Sequence, residues 1–183
     1  GDGLRQLASL AAGGFIASGF VRAADAVTVL NNQLKLATGS TQAATQAYDA
    51  LFGIAQRSRT SFTELGATYA SIARATSDLG ISQSRLLTVT EAIGNSLAIS
   101  GGSAQGMQAA LTQLGQGFAS GTLRGEELNS VLEQTPRLAK AIADGMGVSV
   151  GKLRDLGKEG KLTADSVLKA LESQSAVLAK EVQ

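Results

Sequence analysis

The stretch that decides the fold is Ser120–Leu171, SGTLRGEELNSVLEQTPRLAKAIADGMGVSVGKLRDLGKEGKLTADSVLKAL. Apolar residues at helical spacing alternate here with glycines and cap residues, which predicts four short helices joined by three turns. The acidic pair Glu126 and Glu127 suits the positive amino-terminal end of the first helix. Because a proline disfavours helical backbone at the residue before it, this helix is expected to end before Thr135. Thr135 then caps the next helix, with Pro136 at its first position.

One local device recurs at the helix starts. An apolar residue is followed by a Ser or Thr cap, and a second apolar residue stands five positions after the first, which is the pattern of a hydrophobic staple. The pattern occurs at Ile81/Ser82/Leu86, Val148/Ser149/Leu153 and Leu162/Thr163/Val167. It predicts helices that are short, well delimited and packed on a common core.

The residues before this stretch carry the same kinds of helix-start and helix-stop signals. Ser40, Ser82 and Ser103 are placed to cap helices, and Ser61 with Glu64 forms a capping-box sequence whose helix is expected to end at Gly80. Strand-like alternation and a sustained heptad repeat are both absent from the sequence. The sequence therefore predicts an all-α fold, a compact module of about nine short helices with no sheet and no long coiled coil.

Charged residues are sparse in residues 1–121 and denser in residues 122–183, without a sign bias in either part. We expect an apolar, Gly/Ala-rich helical arm over residues 1–38, a helical bundle over 39–121 and a short-helix subdomain over 122–183. The last two are expected to form one cooperative unit. The glycine at position 1 suggests a fragment of a longer chain.

The composition argues against several kinds of chemistry. The chain has no cysteine and no histidine, so it lacks thiolate nucleophiles and the most common general base and metal ligand. Glu126 and Glu127 are adjacent and point about 100° apart on a helix, which does not suit a carboxylate pair acting on one bond. The glycines at 145, 147, 151, 157 and 160 follow no phosphate-loop pattern and are interpreted as helix stops. The chain is therefore predicted not to be an enzyme, with no catalytic, cofactor-binding or metal-binding residues.

Two interaction classes stay open from the residues alone. Ser149–Leu168 could form a DNA-reading helix-turn-helix, although Asp155, Glu159 and Asp165 offset most of its positive charge. Residues 4–21 are apolar on nearly every side, which favours a buried or self-associating helix and leaves contact with a membrane as an alternative. The net charge of +1 gives no broad footprint for nucleic acid, so specific nucleic-acid recognition is not expected.

The chain resembles the N-terminal tape measure domain of the tail length tape measure proteins of long-tailed phages and prophages. The main run that carries the resemblance is Gln113–Thr163, and shorter runs lie upstream at LKLATGS (34–40), LFGIAQRSRTSF (51–62), Tyr69 and LTVTEAIGNSLAISGGSA (87–104). The resemblance spans roughly residues 25–171, and its specificity comes from the joint pattern.

This resemblance implies a structural role in tail length determination, in the initiation of tail tube assembly and in anchoring. It implies the tail tip or hub proteins, tail tube proteins and tail assembly chaperones as partners. It also implies several copies together, and we expect these to associate through residues 4–21. The expected location is the lumen of the phage tail in the virion, and the cytoplasm of the bacterial host during assembly.

Overall fold

The computed structural model describes the backbone of residues 2–183 and the side chains of residue 19 and residues 21–183. Over this range the chain is all-α and has no strand. The nine helices are α1 (Asp2–Thr38), α2 (Thr41–Ser58), α3 (Phe62–Ala75), α4 (Gln83–Ser100), α5 (Ala104–Ser120), α6 (Gly125–Gln134), α7 (Pro136–Met146), α8 (Val150–Lys158) and α9 (Ala164–Glu181). The predicted fold class and number of helices are confirmed.

The described helices close on one apolar core that extends from Leu30 in α1 to Leu178 in α9. Helix α3 packs against α1, α2, α4 and α5, while α4 packs against α2, α7 and α9. Helix α5 packs against α6, and α8 contacts both α6 and α7. The α4–α9 contact joins the middle of the chain to its carboxyl-terminal helix, so residues 122–183 share their core with the preceding bundle.

Most of the predicted helix starts are confirmed by cap hydrogen bonds. The hydroxyls of Ser40, Ser82, Ser103, Ser149 and Thr163 each accept a hydrogen bond from the backbone N–H three residues later. Helices α4, α5 and α7 end at Gly101, Gly121 and Gly147, which have left-handed backbone angles that favour glycine. Serine and threonine caps therefore fix where these helices begin, and glycines fix where three of them end.

The first helix is longer than the sequence analysis predicts. Helix α1 runs without interruption for 37 residues, whereas short helices were expected throughout. A glycine inside a helix costs only about 1 kcal/mol relative to alanine, so the glycines in the first half of α1 do not end it. The helix stops where Gly39 takes a left-handed backbone conformation and Ser40 caps α2.

Two predicted helix ends also differ in detail. Helix α3 ends at Ala75 and not at Gly80, because Ser77–Leu79 form a separate 3-10 turn that Gly80 closes. The Thr135 hydroxyl does not cap α7; it donates to the carbonyl oxygen of Val131 at 2.8 Å. The start of α7 instead has Pro136 at its first position, and the Arg137 N–H donates to the Ser100 hydroxyl at 3.1 Å.

The Ser61–Glu64 pair forms half of the predicted capping box. The Ser61 hydroxyl accepts from the Glu64 N–H at 3.5 Å. The Glu64 carboxylate instead accepts from the Gln108 side chain at 3.0 Å, across the α3–α5 contact. A tertiary hydrogen bond has replaced the local one.

Candidate interaction surfaces

The turns that precede α6 and α9 are paired with each other. Leu123 donates its backbone N–H to the carbonyl oxygen of Leu162 at 2.8 Å, and Ala164 donates to that of Gly121 at 3.1 Å. These two bonds form an isolated antiparallel bridge between Thr122 and Thr163. Both leucines are almost fully buried. The bridge therefore holds the starts of α6 and α9 side by side over the core.

Helices α8 and α9 and the turn between them are the candidate DNA-reading unit, and three of its basic residues are neutralised within it. Lys152 lies 3.8 Å from a carboxylate oxygen of Asp155, and Lys161 lies 2.8 Å from one of Glu159. The hydrogen bond from Lys161 lowers the pKa of Glu159. Lys169 of α9 pairs with Asp165 at 2.9 Å. Duplex binding would have to compete with these pairs.

Helix α9, which would have to enter a DNA groove, is instead a core helix. Its residues Val167, Leu168, Leu171 and Leu178 are buried, and it packs against α4 and α7. The side chains at its start, where a reading helix contacts bases, are half-buried. The arrangement does not favour the helix-turn-helix alternative.

Two bidentate ion pairs attach α9 to the rest of the fold. The Arg85 guanidinium of α4 donates to both carboxylate oxygens of Glu172, at 2.9 and 2.7 Å. Arg137 of α7 does the same to Glu181, at 2.7 and 2.8 Å. The hydrogen bonds from the arginines hold the pKa of each glutamate below its ordinary value. The middle and the carboxyl-terminal end of α9 are thus tied to earlier helices by charge-assisted bonds.

The two residues weighed for catalysis are adjacent on one helix. Glu126 and Glu127 occupy the first turn of α6, as predicted. In the described part of the chain, no group of three acidic, histidine or cysteine side chains is placed to hold a metal ion.

The interpretation of five glycines as helix stops holds for only two of them. Gly147 and Gly160 follow helices with left-handed backbone angles, but Gly145, Gly151 and Gly157 lie inside α7 and α8. Gly145 is instead required by close packing against backbone, and Gly157 packs closely against a side chain. A Cβ atom on Gly145 would collide with the backbone of Ala170, and one on Gly157 would lie 2.7 Å from a Leu128 methyl carbon.

A cleft of about 500 Å³ lies between the start of α6 and α8. Arg124, Arg154 and Lys158 line its rim and are exposed, while Leu128 is buried and Gly157 lies at the base. Sequence reasoning missed this cleft, although Arg154 and Lys158 stand four residues apart and so share a face of α8. Arg124 reaches the same place only through the folding of α6 onto α8.

The outward face of α1 carries apolar side chains that the fold leaves uncovered. Val21, Val29 and Leu36 are 56%, 55% and 78% exposed, whereas Leu30 and Leu34 on the opposite face are buried. The predicted association segment, residues 4–21, lies almost wholly outside the residues whose side chains are described. None of the helices searched in the described residues has the length and apolar character needed to cross a membrane.

Comparison with known proteins supplies the family. Searches of curated protein sequences and of solved structures gave no match. A protein-family profile described as "Tape measure protein" matches residues 18–183, which is most of the chain and a wider span than the resemblance in the sequence indicates. The chain therefore belongs to the tape measure protein family, and it is a structural component of a phage tail.

Proposed function

We propose that this module anchors the tape measure protein and initiates tail tube assembly, while another segment of the protein sets tail length. The observation that carries the proposal is the folding of α2–α9 onto one core. A ruler works by extended length, at about 1.5 Å per residue when helical. Helices of 9–18 residues that fold back on one another add little to such a length. A compact body is suited to docking.

Helix α1 is the one extended element of the described chain. Its 37 residues span about 55 Å. Its carboxyl-terminal part is held by α2 and α3 through Leu30 and Leu34. We propose that this helix is an arm by which copies of the module associate, with the compact body docking on other tail proteins.

The partners that fit this role are the tail tip or hub proteins, the tail tube proteins and the tail assembly chaperones. The module would meet the chaperones in the host cytoplasm and would end in the tail lumen. Family membership supports a place in the tail. The finer assignments are part of the proposal.

The test separates anchoring from measuring by introducing two substitutions into the gene of the parent phage or prophage. Leu114→Asp places a charge at a fully buried position of α5, and Gln116→Asp makes the same change at an exposed position two residues away. Anchoring predicts that Leu114→Asp abolishes tails and that Gln116→Asp leaves them normal. Intact tails of altered length in the Leu114→Asp phage would show that the module measures length.

The two alternatives give different results with the purified chain. A nucleic-acid-binding module would bind duplex with an affinity that falls steeply with salt concentration. A membrane-active segment would partition into liposomes in a way that depends on residues 4–21. We expect neither result. Lys152, Lys161 and Lys169 are paired with carboxylates and α9 packs into the core, which disfavours duplex reading by this unit. The apolar residues 4–21 are expected to associate between copies of the module.

A further inference from the structure

The basic residues of 122–183 divide into paired and unpaired groups. Five of the nine lie within 4.0 Å of a carboxylate oxygen: Arg137, Lys140, Lys152, Lys161 and Lys169. The other four, Arg124, Arg154, Lys158 and Lys180, have no such partner in the described structure. Three of these four line the cleft between α6 and α8. Within residues 122–183, unpaired basic side chains are therefore concentrated at one concave place.

The cleft has the form of a binding site. Its three cations stand over a base that includes Leu128, which is 3% exposed, and the backbone at Gly157. The single acidic residue in the lining, Glu127, occupies the first turn of α6, where it complements the helix dipole. The lining keeps a net charge of +2 after Glu127 is counted.

We propose that this cleft docks an acidic segment of a partner protein through its carboxylates. Two guanidinium groups can bind carboxylates in bidentate fashion, and Lys158 adds a point charge. A volume of about 500 Å³ suits a few side chains on an apolar base. An extended duplex would also meet Glu126, Asp155 and Glu159, which are exposed on the same two helices or just beyond them, so a short acidic protein segment fits the charges better.

The site is tested on the purified chain with a short fluorescent peptide of alternating Glu and Ala, and a matched Gln and Ala peptide as control. Fluorescence anisotropy at low salt should show binding of the acidic peptide alone. Arg154→Ala/Lys158→Ala should weaken that binding roughly tenfold or more, because two charge-assisted contacts are lost. Lys152→Ala/Lys161→Ala removes the same charge from paired positions and should change binding less than about twofold.

Arg124→Ala, on the other wall of the cleft, should also weaken binding. Circular dichroism melting checks that each variant is folded.

Equal weakening of peptide binding by the two double variants would show diffuse attraction without a site and would overturn the proposal. The absence of peptide binding would overturn it as well. Tighter binding of a DNA duplex through Arg154 and Lys158 would assign the cleft to nucleic acid instead. Peptide binding and tail formation are separate measurements, so this proposal and the anchoring role can fail independently.

Discussion

Gly145 of α7 lies directly against the backbone of Ala170 in α9, with no room between them for a side chain. A Cβ atom built on Gly145 would come within 2.6 Å of both the carbonyl carbon and the Cα atom of Ala170. A flexible side chain could move away from such an atom, but helical backbone cannot. The packing of α7 on α9 therefore depends on glycine at this position.

Gly145→Ala should destabilise the protein by about 1–3 kcal/mol, which is the usual cost of overpacking. Gly151→Ala is the matched control, because Gly151 lies inside α8 with open space where its Cβ would be. That variant should gain about 0.5–1 kcal/mol from the better helix propensity of alanine. Urea unfolding of both variants measures the difference. A Gly145→Ala protein as stable as wild type would show that α7 and α9 are not packed this closely.

Thr163→Ala should lower stability more than Thr122→Ala, although the two residues form one bridge. The Thr163 hydroxyl accepts from the Ser166 N–H at 3.2 Å and caps α9, so its loss should cost about 1 kcal/mol. Val167 is the predicted staple partner of Leu162 and is 2% exposed, so Val167→Ala should lower the free energy of unfolding by a similar or larger amount. Thermal melting compares the variants. A Thr163→Ala protein with the same melting temperature as wild type would contradict the role of this cap.

These cases show what the sequence predicts well and what it does not. The cap at Thr163 and the stop at Gly147 follow from local backbone chemistry, which a few neighbouring residues determine. The role of Gly145 depends on Ala170, which is distant in sequence, and periodicity carries no information about such an approach. Sequence periodicity likewise does not predict that Glu64 accepts a hydrogen bond from Gln108 instead of completing its capping box. Nor does it predict the cleft, because Arg124 and Arg154 line the same space only after α6 packs on α8. The division into residues 1–38, 39–121 and 122–183 stays a prediction.

Residues 39–121 and 122–183 should unfold together as one cooperative unit. Helix α9 packs on α4 and α7, and the core is continuous across the division. In a Tyr48→Phe variant, which removes the other tyrosine, the buried Tyr69 reports on α3 through its absorbance, and circular dichroism reports on all helices. The two signals should give the same melting temperature. A Tyr69 transition clearly separate from the loss of helix would indicate two independent units.

The Arg85–Glu172 pair should make stability depend on pH. The hydrogen bond from Arg85 holds the pKa of Glu172 below its ordinary value near 4.5. A lowered carboxylate pKa contributes stability that is present above the unfolded-state value and is lost as the pH falls through the folded-state value. Glu172→Gln should therefore melt lower than wild type near pH 7, and the gap should close in acid. Because the pair is partly exposed, the expected difference is on the order of 1 °C. A gap that stays constant in acid would contradict the ion-pair contribution.

The module should self-associate through its first helix. Residues 4–21 are apolar on nearly every side of the predicted helix. The exposed face of α1 carries further apolar side chains at Val21, Val29 and Leu36. An exposed apolar face of this kind usually marks an interface, and copies in a symmetric tail would bring identical faces together. Removing residues 1–24 should leave a helical species of lower oligomeric state, and Val29→Ser/Leu36→Ser should weaken association further. Light scattering measures the mass, with circular dichroism as the check on folding. A full chain that is monomeric at high micromolar concentration, or an assembly that trimming leaves unchanged, would show that the arm does not mediate association.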